Sequence, residues 1–188
     1  MFKTKSGFTI VELLIVIVVI GILAAITIIA YNGITKRGQD AQIRSVANQF
    51  AKTFQLWSTQ SGLTTSPGGS GSTAYSGGVC VGGGGGWVLA SAGYVCTIDT
   101  VLTSAGLIPS SLMSSVPITQ ASRPGAYSTF MLYPCSAAGA TAYAMMYALN
   151  TADAKEITNV QNACTGGGAW GPFVTYGMNG GFVFSLPT

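Results

Sequence analysis

The chain contains no histidine. That absence removes Ser/His/Asp and Cys/His catalysis and every histidine-ligated metal site. Charge is almost as scarce: 7% of residues are Asp, Glu, Lys or Arg, against roughly 25% in ordinary soluble domains. The net charge of +3 comes from 8 basic and 5 acidic side chains, too few for the basic patch that nucleic-acid binding needs. None of the four cysteines, Cys80, Cys96, Cys135 and Cys164, sits in a CxxC pair, which weakens a zinc or thioredoxin-like reading. The glycine run Gly82–Gly86 is not followed by Lys-Ser/Thr, so it is no phosphate loop and reads as a surface loop. No Asp/Glu-rich loop offers a calcium site. No N-x-S/T sequon exists, although Ser and Thr crowd residues 58–76 and leave O-linked modification open. The sequence therefore supplies no catalytic residue, no metal ligand set and no cofactor motif.

What the chain has instead is apolar surface. Its mean hydropathy is +0.49, high for a soluble domain. Residues 8–30 are apolar apart from Thr9, Glu12, Gly21 and Thr27. As a helix this segment spans roughly 34 Å, enough for a bilayer core. A secretory signal peptide would have a shorter apolar stretch closed by a small-residue cleavage site. Here the run is too long, and the small residue, Gly7, precedes it. A cut at Gly7 would leave the whole apolar helix on the mature chain. Lys3 and Lys5 favour a cytoplasmic N-terminus, while Lys36, Arg37 and Arg44 on the other flank pull the opposite way. The cysteines decide the orientation: an even count downstream of a membrane span reads as two disulfides, which need an oxidising compartment. Four cysteines allow three connectivities, and short loop closure favours Cys80–Cys96 with Cys135–Cys164.

Beyond residue 30 the helical pattern continues. Ile43, Val46, Ala47, Phe50, Phe54 and Trp57 fall on one helical face, with Arg44, Asn48, Lys52 and Gln55 on others. The helix should stop near Ser61–Gly62. Residues 61–79 form a Gly/Ser/Thr loop. Four segments rich in aromatic and β-branched residues then read as strands: Trp87–Ile98, Tyr127–Tyr133, Thr141–Leu149 and Phe182–Leu186. Thr100–Met113 reads as a short helix ended by Pro109, and Thr151–Asn159 as a further helical turn. Asp153 and Glu156, flanking Lys155, read as solvated charges at that helix start. Trp87, Trp170 and the tyrosines read as core or strand residues, not ligand platforms. The expected fold class is α+β: a long N-terminal helix packed on a small antiparallel sheet. The expected organisation is a leader at 1–7, a membrane-spanning helix at 8–30, its amphipathic continuation at 31–60 and an extracytoplasmic, β-rich head at 61–188.

Glu12 is the discordant residue. A carboxylate in an apolar layer costs a few kcal/mol at the helix centre, less near an end. It can snorkel to the interface. It can also pair with the α-amino group of Phe8 that a cut after Gly7 would create, in cis through the first turn or in trans with a neighbouring copy. A trans pair would fix the axial stagger between subunits, since buried charge pairs serve register better than stability.

The stretch KSGFTIVELLIVIVVIGILAAI, Lys5 to Ile26, closely resembles the N-terminus of type IV pilins. In that resemblance Gly7 is the residue before the cut, Phe8 the methylated first residue, Glu12 the conserved-type glutamate of the family and Gly21 its helix-weakening glycine. The match covers about residues 3–32. The proline that the family commonly carries later in the helix is absent, since Ile28, Ile29 and Ala30 stand there. Gly21, Gly33 and Gly38 are then the points where the helix would loosen. The resemblance implies processing by a membrane-embedded prepilin peptidase, N-methylation of Phe8, and residence in the cytoplasmic membrane with the N-terminus inside. An assembly ATPase and a platform protein would then drive polymerisation into a helical surface filament of identical subunits, with minor pilins as partners. It implies roles in adhesion, twitching motility or DNA uptake, as a major pilin. The alternatives are a minor pilin, a secretion-type pseudopilin, or a bitopic membrane protein that never polymerises. Direct DNA binding through Lys36, Arg37, Arg44 and Lys52 finds no support in the sequence.

Overall fold

The computed structural model describes residues 7–62, 74–76, 79–81, 97–109, 130–135, 142–164, 173 and 177–187. Its dominant element is α1, Ile10–Ser61, which runs unbroken through Gly21, Gly33 and Gly38. The chain divides into two units, Met1–Gly38 and Gln39–Thr188. In the first, the helix stands bare: large apolar side chains from Ile10, 86% exposed, to Ile34, 70% exposed, are uncovered among the described residues. Its hydroxyls are satisfied locally, with Thr27 Oγ1 donating to the Leu23 carbonyl at 2.7 Å and Thr35 Oγ1 to that of Tyr31 at 3.0 Å. That is how a threonine is tolerated in an apolar span.

In the second unit the remainder of α1 lies on a three-stranded antiparallel sheet of order β3-β4-β5. These strands are β3, Phe130–Cys135; β4, Ala142–Tyr147; and β5, Gly180–Ser185. A separate two-stranded ribbon pairs β1, Ala74–Ser76, with β2, Val79–Val81. Two short helices also lie among the described residues: α2, Ile98–Ser104, and α3, Ala154–Ala163. Together these elements form an α+β, pilin-like architecture.

The period-2 alternation of strands assigns each sheet residue to a face. Phe130, Leu132, Tyr143, Met145, Tyr147, Phe182 and Phe184 point to the α1 side. There they meet the buried stripe Ile43, Val46, Ala47, Phe50, Phe54 and Trp57, with Ile98, Val101 and Leu102 of α2. This is the helical face whose spacing is visible in the sequence. At its centre Phe54 stacks on Trp57 at 5.5 Å and meets Tyr143 and Phe184 edge-on at 5.5 and 6.2 Å. Met131, Cys135, Ala144 and Met146 point the other way, to Val160 and Cys164 of α3 and to Met178. The sheet is therefore covered on both faces. β4 lies between the other two strands and is buried from Tyr143 to Tyr147, as a strand covered on both faces must be.

Several element boundaries differ from the sequence expectation. Thr97 and Ile98 open α2 and do not end a strand; residues 87–96 of that stretch lie outside the described residues. That helix starts two residues before Thr100 and stops well short of Pro109. Its stop is a Schellman closure: Gly106 has φ +71°, its N–H donates to the Thr103 carbonyl, and the Leu107 N–H donates to that of Leu102. β3, described from Phe130, continues past the expected Tyr133 through Pro134 to Cys135, while residues 127–129 of the expected strand lie outside the described residues. Proline is tolerated because β3 is an edge strand and Pro134 sits opposite Tyr143, which bonds toward β5. β5 starts at Gly180, two residues earlier than expected. A Cβ there would approach Tyr147 Cε2 to 2.6 Å and Glu156 Oε2 to 2.7 Å, so any larger residue would force these side chains to shift. α3 runs to Ala163, past the expected Asn159.

Candidate assembly and processing site

Two regions carry the chemistry of this chain: the start of α1, and the network that fixes α1 to the sheet unit. At the start, Gly7 precedes the helix, and Phe8 is 81% exposed. Thr9 sits immediately before the first helical residue. Its N–H donates to Glu12 Oε2 at 2.8 Å and its hydroxyl to the same oxygen at 2.7 Å, while the Glu12 N–H donates to Thr9 Oγ1 at 3.3 Å. This is a reciprocal capping box. Glu12 thus has a cis role at the helix start, but through Thr9. The T-x-x-E spacing ahead of an apolar run carries that signal in the sequence. An anion in the first turn also favours the helix dipole. Only one carboxylate oxygen is used in this way.

From Ile10 onward the helix is long and apolar enough to cross a membrane, with none of its most apolar stretch buried in the chain. Residues 2–28 match the prokaryotic N-terminal methylation motif. The chain carries a class III prepilin leader. This leader is the one found on type IV pilin-like and pseudopilin proteins. No solved structure matches the chain. Gly7 and Phe8, the residues of the expected cut, stand at the start of the described residues, while Lys3 and Lys5 lie outside them. Gly21, Gly33 and Gly38 all have open space where a Cβ would stand, so no contact within the chain demands glycine at any of them.

The second region was not legible as a site. Arg44 projects from α1 to the start of α3. Its Nε donates to Glu156 Oε1 at 2.8 Å and its Nη2 to Asp153 Oδ2 at 3.0 Å. Asp153 is the N-cap of α3, with Oδ1 accepting from the Lys155 and Glu156 amides at 3.1 Å each. The Glu156 amide, with the Arg44 charge in support, holds the Asp153 carboxyl below its ordinary range. The other Glu156 oxygen accepts from Tyr147 Oη at 2.9 Å and from the Gly181 N–H at 3.0 Å. Burial, reinforced by Glu156, pushes the Tyr147 hydroxyl above its ordinary value. The expectation that Asp153 and Glu156 are simply solvated is corrected: both are partners of Arg44 and about a third or less exposed. Their separation of 109 and 112 residues from Arg44 hides the network from sequence patterns.

One turn earlier, buried Asp40 accepts from the Asn150 amide at 2.7 Å, from Asn150 Nδ2 at 3.0 Å and from the Thr151 amide at 3.2 Å. Asn179 ties β4 to β5 by bonding both the N–H and the C=O of Leu149, at 2.6 and 3.0 Å. The Cys135–Cys164 disulfide joins the end of β3 to the C-cap of α3, with Cα atoms 4.7 Å apart. Of the other expected pair, Cys80 lies in β2 and Cys96 lies outside the described residues.

Proposed function

We propose that this chain is the structural subunit of a type IV pilus. It is cut between Gly7 and Phe8, methylated on Phe8, held in the cytoplasmic membrane with its N-terminus inside, and polymerised with copies of itself into a surface filament. Cys80 and Cys96 form its second disulfide, and the head reaches the outside. The observation that carries this reading is the bare helix behind the prepilin leader. Apolar side chains from Phe8 to Ile34 have no partner within the described residues, so lipid or other copies must cover them. Exchange between those two apolar environments changes the hydrophobic term little, which suits reversible assembly. Glu12 then biases docking. One of its oxygens serves its own helix cap, and the other is left for the new amine of a neighbouring Phe8. Gly21, Gly33 and Gly38 are the points at which α1 loosens under packing. The abundance of the chain as a major pilin, and its use in adhesion, twitching motility or DNA uptake, are the finer parts of the same reading.

Electron microscopy of sheared surface fibres, with peptide identification, tests it. Fibres composed of this chain support the proposal. Cells that carry the processed chain but no fibres containing it point to a pseudopilin or a non-polymerising membrane protein. Glu12→Ala should be cleaved normally and fail to form fibres; normal fibres from that variant sink the register argument.

A further inference from the structure

The outer edge of β5 is built in an unusual way. The Gly181 N–H donates to Glu156, and the Ser185 carbonyl accepts from Gln55 Nε2 at 2.7 Å. Both groups therefore point away from β4. Backbone direction alternates along a strand, so Val183, midway between them, also turns its N–H and C=O outward. Side chains from α3 and α1 thus close the two ends of the edge, while its middle stays open among the described residues. A groove of about 460 Å³ runs along this edge, lined by Arg44, Tyr147 and Glu156 beside Gly181 and by Asn48, Asn159, Ala163 and Val183 along the open stretch. This volume is within the range of ligand sites.

We infer that this groove receives an extended peptide segment, which pairs by backbone with Val183 as a short additional strand. Three features select this occupant. The open groups are one backbone donor and one backbone acceptor at strand spacing, which only another extended backbone matches. The groove is recessed between α1 and α3, so the edge of a second sheet flanked by its own helices cannot enter. Beyond the paired Arg44 and Glu156, the polar walls are the amides Asn48 and Asn159, able to bond a second peptide's polar groups. At the Gly181 end the carboxylate oxygens of Asp153 and Glu156 are already engaged by Arg44, Tyr147 and backbone amides, so that end is closed and the peptide pairs at Val183. The inference concerns the sheet unit alone and stands or falls independently of filament assembly.

The test uses the full chain in detergent micelles and fluorescein-labelled Lys-Thr-Val-Thr-Val-Thr, read by fluorescence anisotropy. The expected result is saturable binding below millimolar peptide. Val183→Pro removes the outward N–H at an edge position where proline is tolerated, and should weaken binding at least tenfold. Ala163→Trp, which fills the groove from the exposed face of α3, should do the same with unchanged circular dichroism. A peptide methylated on alternate backbone nitrogens should bind at least tenfold more weakly. Equal binding by that methylated peptide or by either variant overturns the inference. So does displacement of the probe by maltohexaose at equal concentration, which would make the groove a sugar site, or the absence of any binding at millimolar peptide.

Discussion

The Cys135–Cys164 disulfide should supply a large share of the stability of the sheet unit. It closes a segment of 29 residues. In the chain-entropy account, a loop of that length restricts the unfolded ensemble by ~3.5 kcal/mol at 25 °C. Both sulfurs are buried, with Cys164 fully inaccessible, so replacing them by alanine adds a packing loss of about 1 kcal/mol. The Cys135→Ala/Cys164→Ala variant should therefore be less stable by ~4 kcal/mol, a drop of roughly 8–16 °C in melting temperature for a domain of this size. The substitution is preferable to a reducing agent, which would open any Cys80–Cys96 bond as well. Denaturant titration of the full chain in micelles, followed by tryptophan fluorescence, measures the difference, because Trp57 lies in the core against Phe54. A loss under 1 kcal/mol would refute the loop-closure reasoning. It would mean that the path from Cys135 to Cys164 is already ordered in the unfolded chain, or that the network at the start of α3 holds it without the bond.

Phe54→Ala should cost about 3–5 kcal/mol, because it removes the ring that meets Trp57, Tyr143 and Phe184 together; the same titration reads it. Asp40→Ala should cost about 2–4 kcal/mol, since three donors lose a buried acceptor, whereas Asp40→Asn should recover part of that loss. The pH dependence follows from Asp153. Its carboxyl is held below the ordinary value of 3.8 in the folded chain, so the unfolded chain binds the proton first. Its contribution is fully present above that value and is lost as pH falls through the lower, folded value. Thermal unfolding should show this loss, and Asp153→Asn should flatten that part of the profile.

The sequence exposed α1 because its packing stripe has a helical period and its partners are apolar. It also exposed the prepilin leader, where motif and composition coincide. β1 lies inside the expected Gly/Ser/Thr loop at 61–79 and was missed, whereas the strands β3, β4 and β5 were found to within about three residues, since β3 and β5 differ only at their ends. Gly180 illustrates the reason: its place in β5 depends on Tyr147 and Glu156, and glycine by itself suggests a loop. The hold of Arg44 on α3 was not visible, because charge pairs 109 and 112 residues apart leave no local pattern. The Thr9–Glu12 cap was visible in spacing but was overshadowed by the oddity of a carboxylate in an apolar run. Short loop closure selected the Cys135–Cys164 pair, and the same rule awaits a test at Cys80 and Cys96.

The account rests on one covalent event at the start of α1. Intact-mass analysis of the chain from membranes and from sheared fibres reads it directly. The account predicts a chain that has lost residues 1–7 and begins at a methylated Phe8 in both fractions. A chain that keeps Met1, or one cut beyond Phe8 within the apolar run, would contradict it.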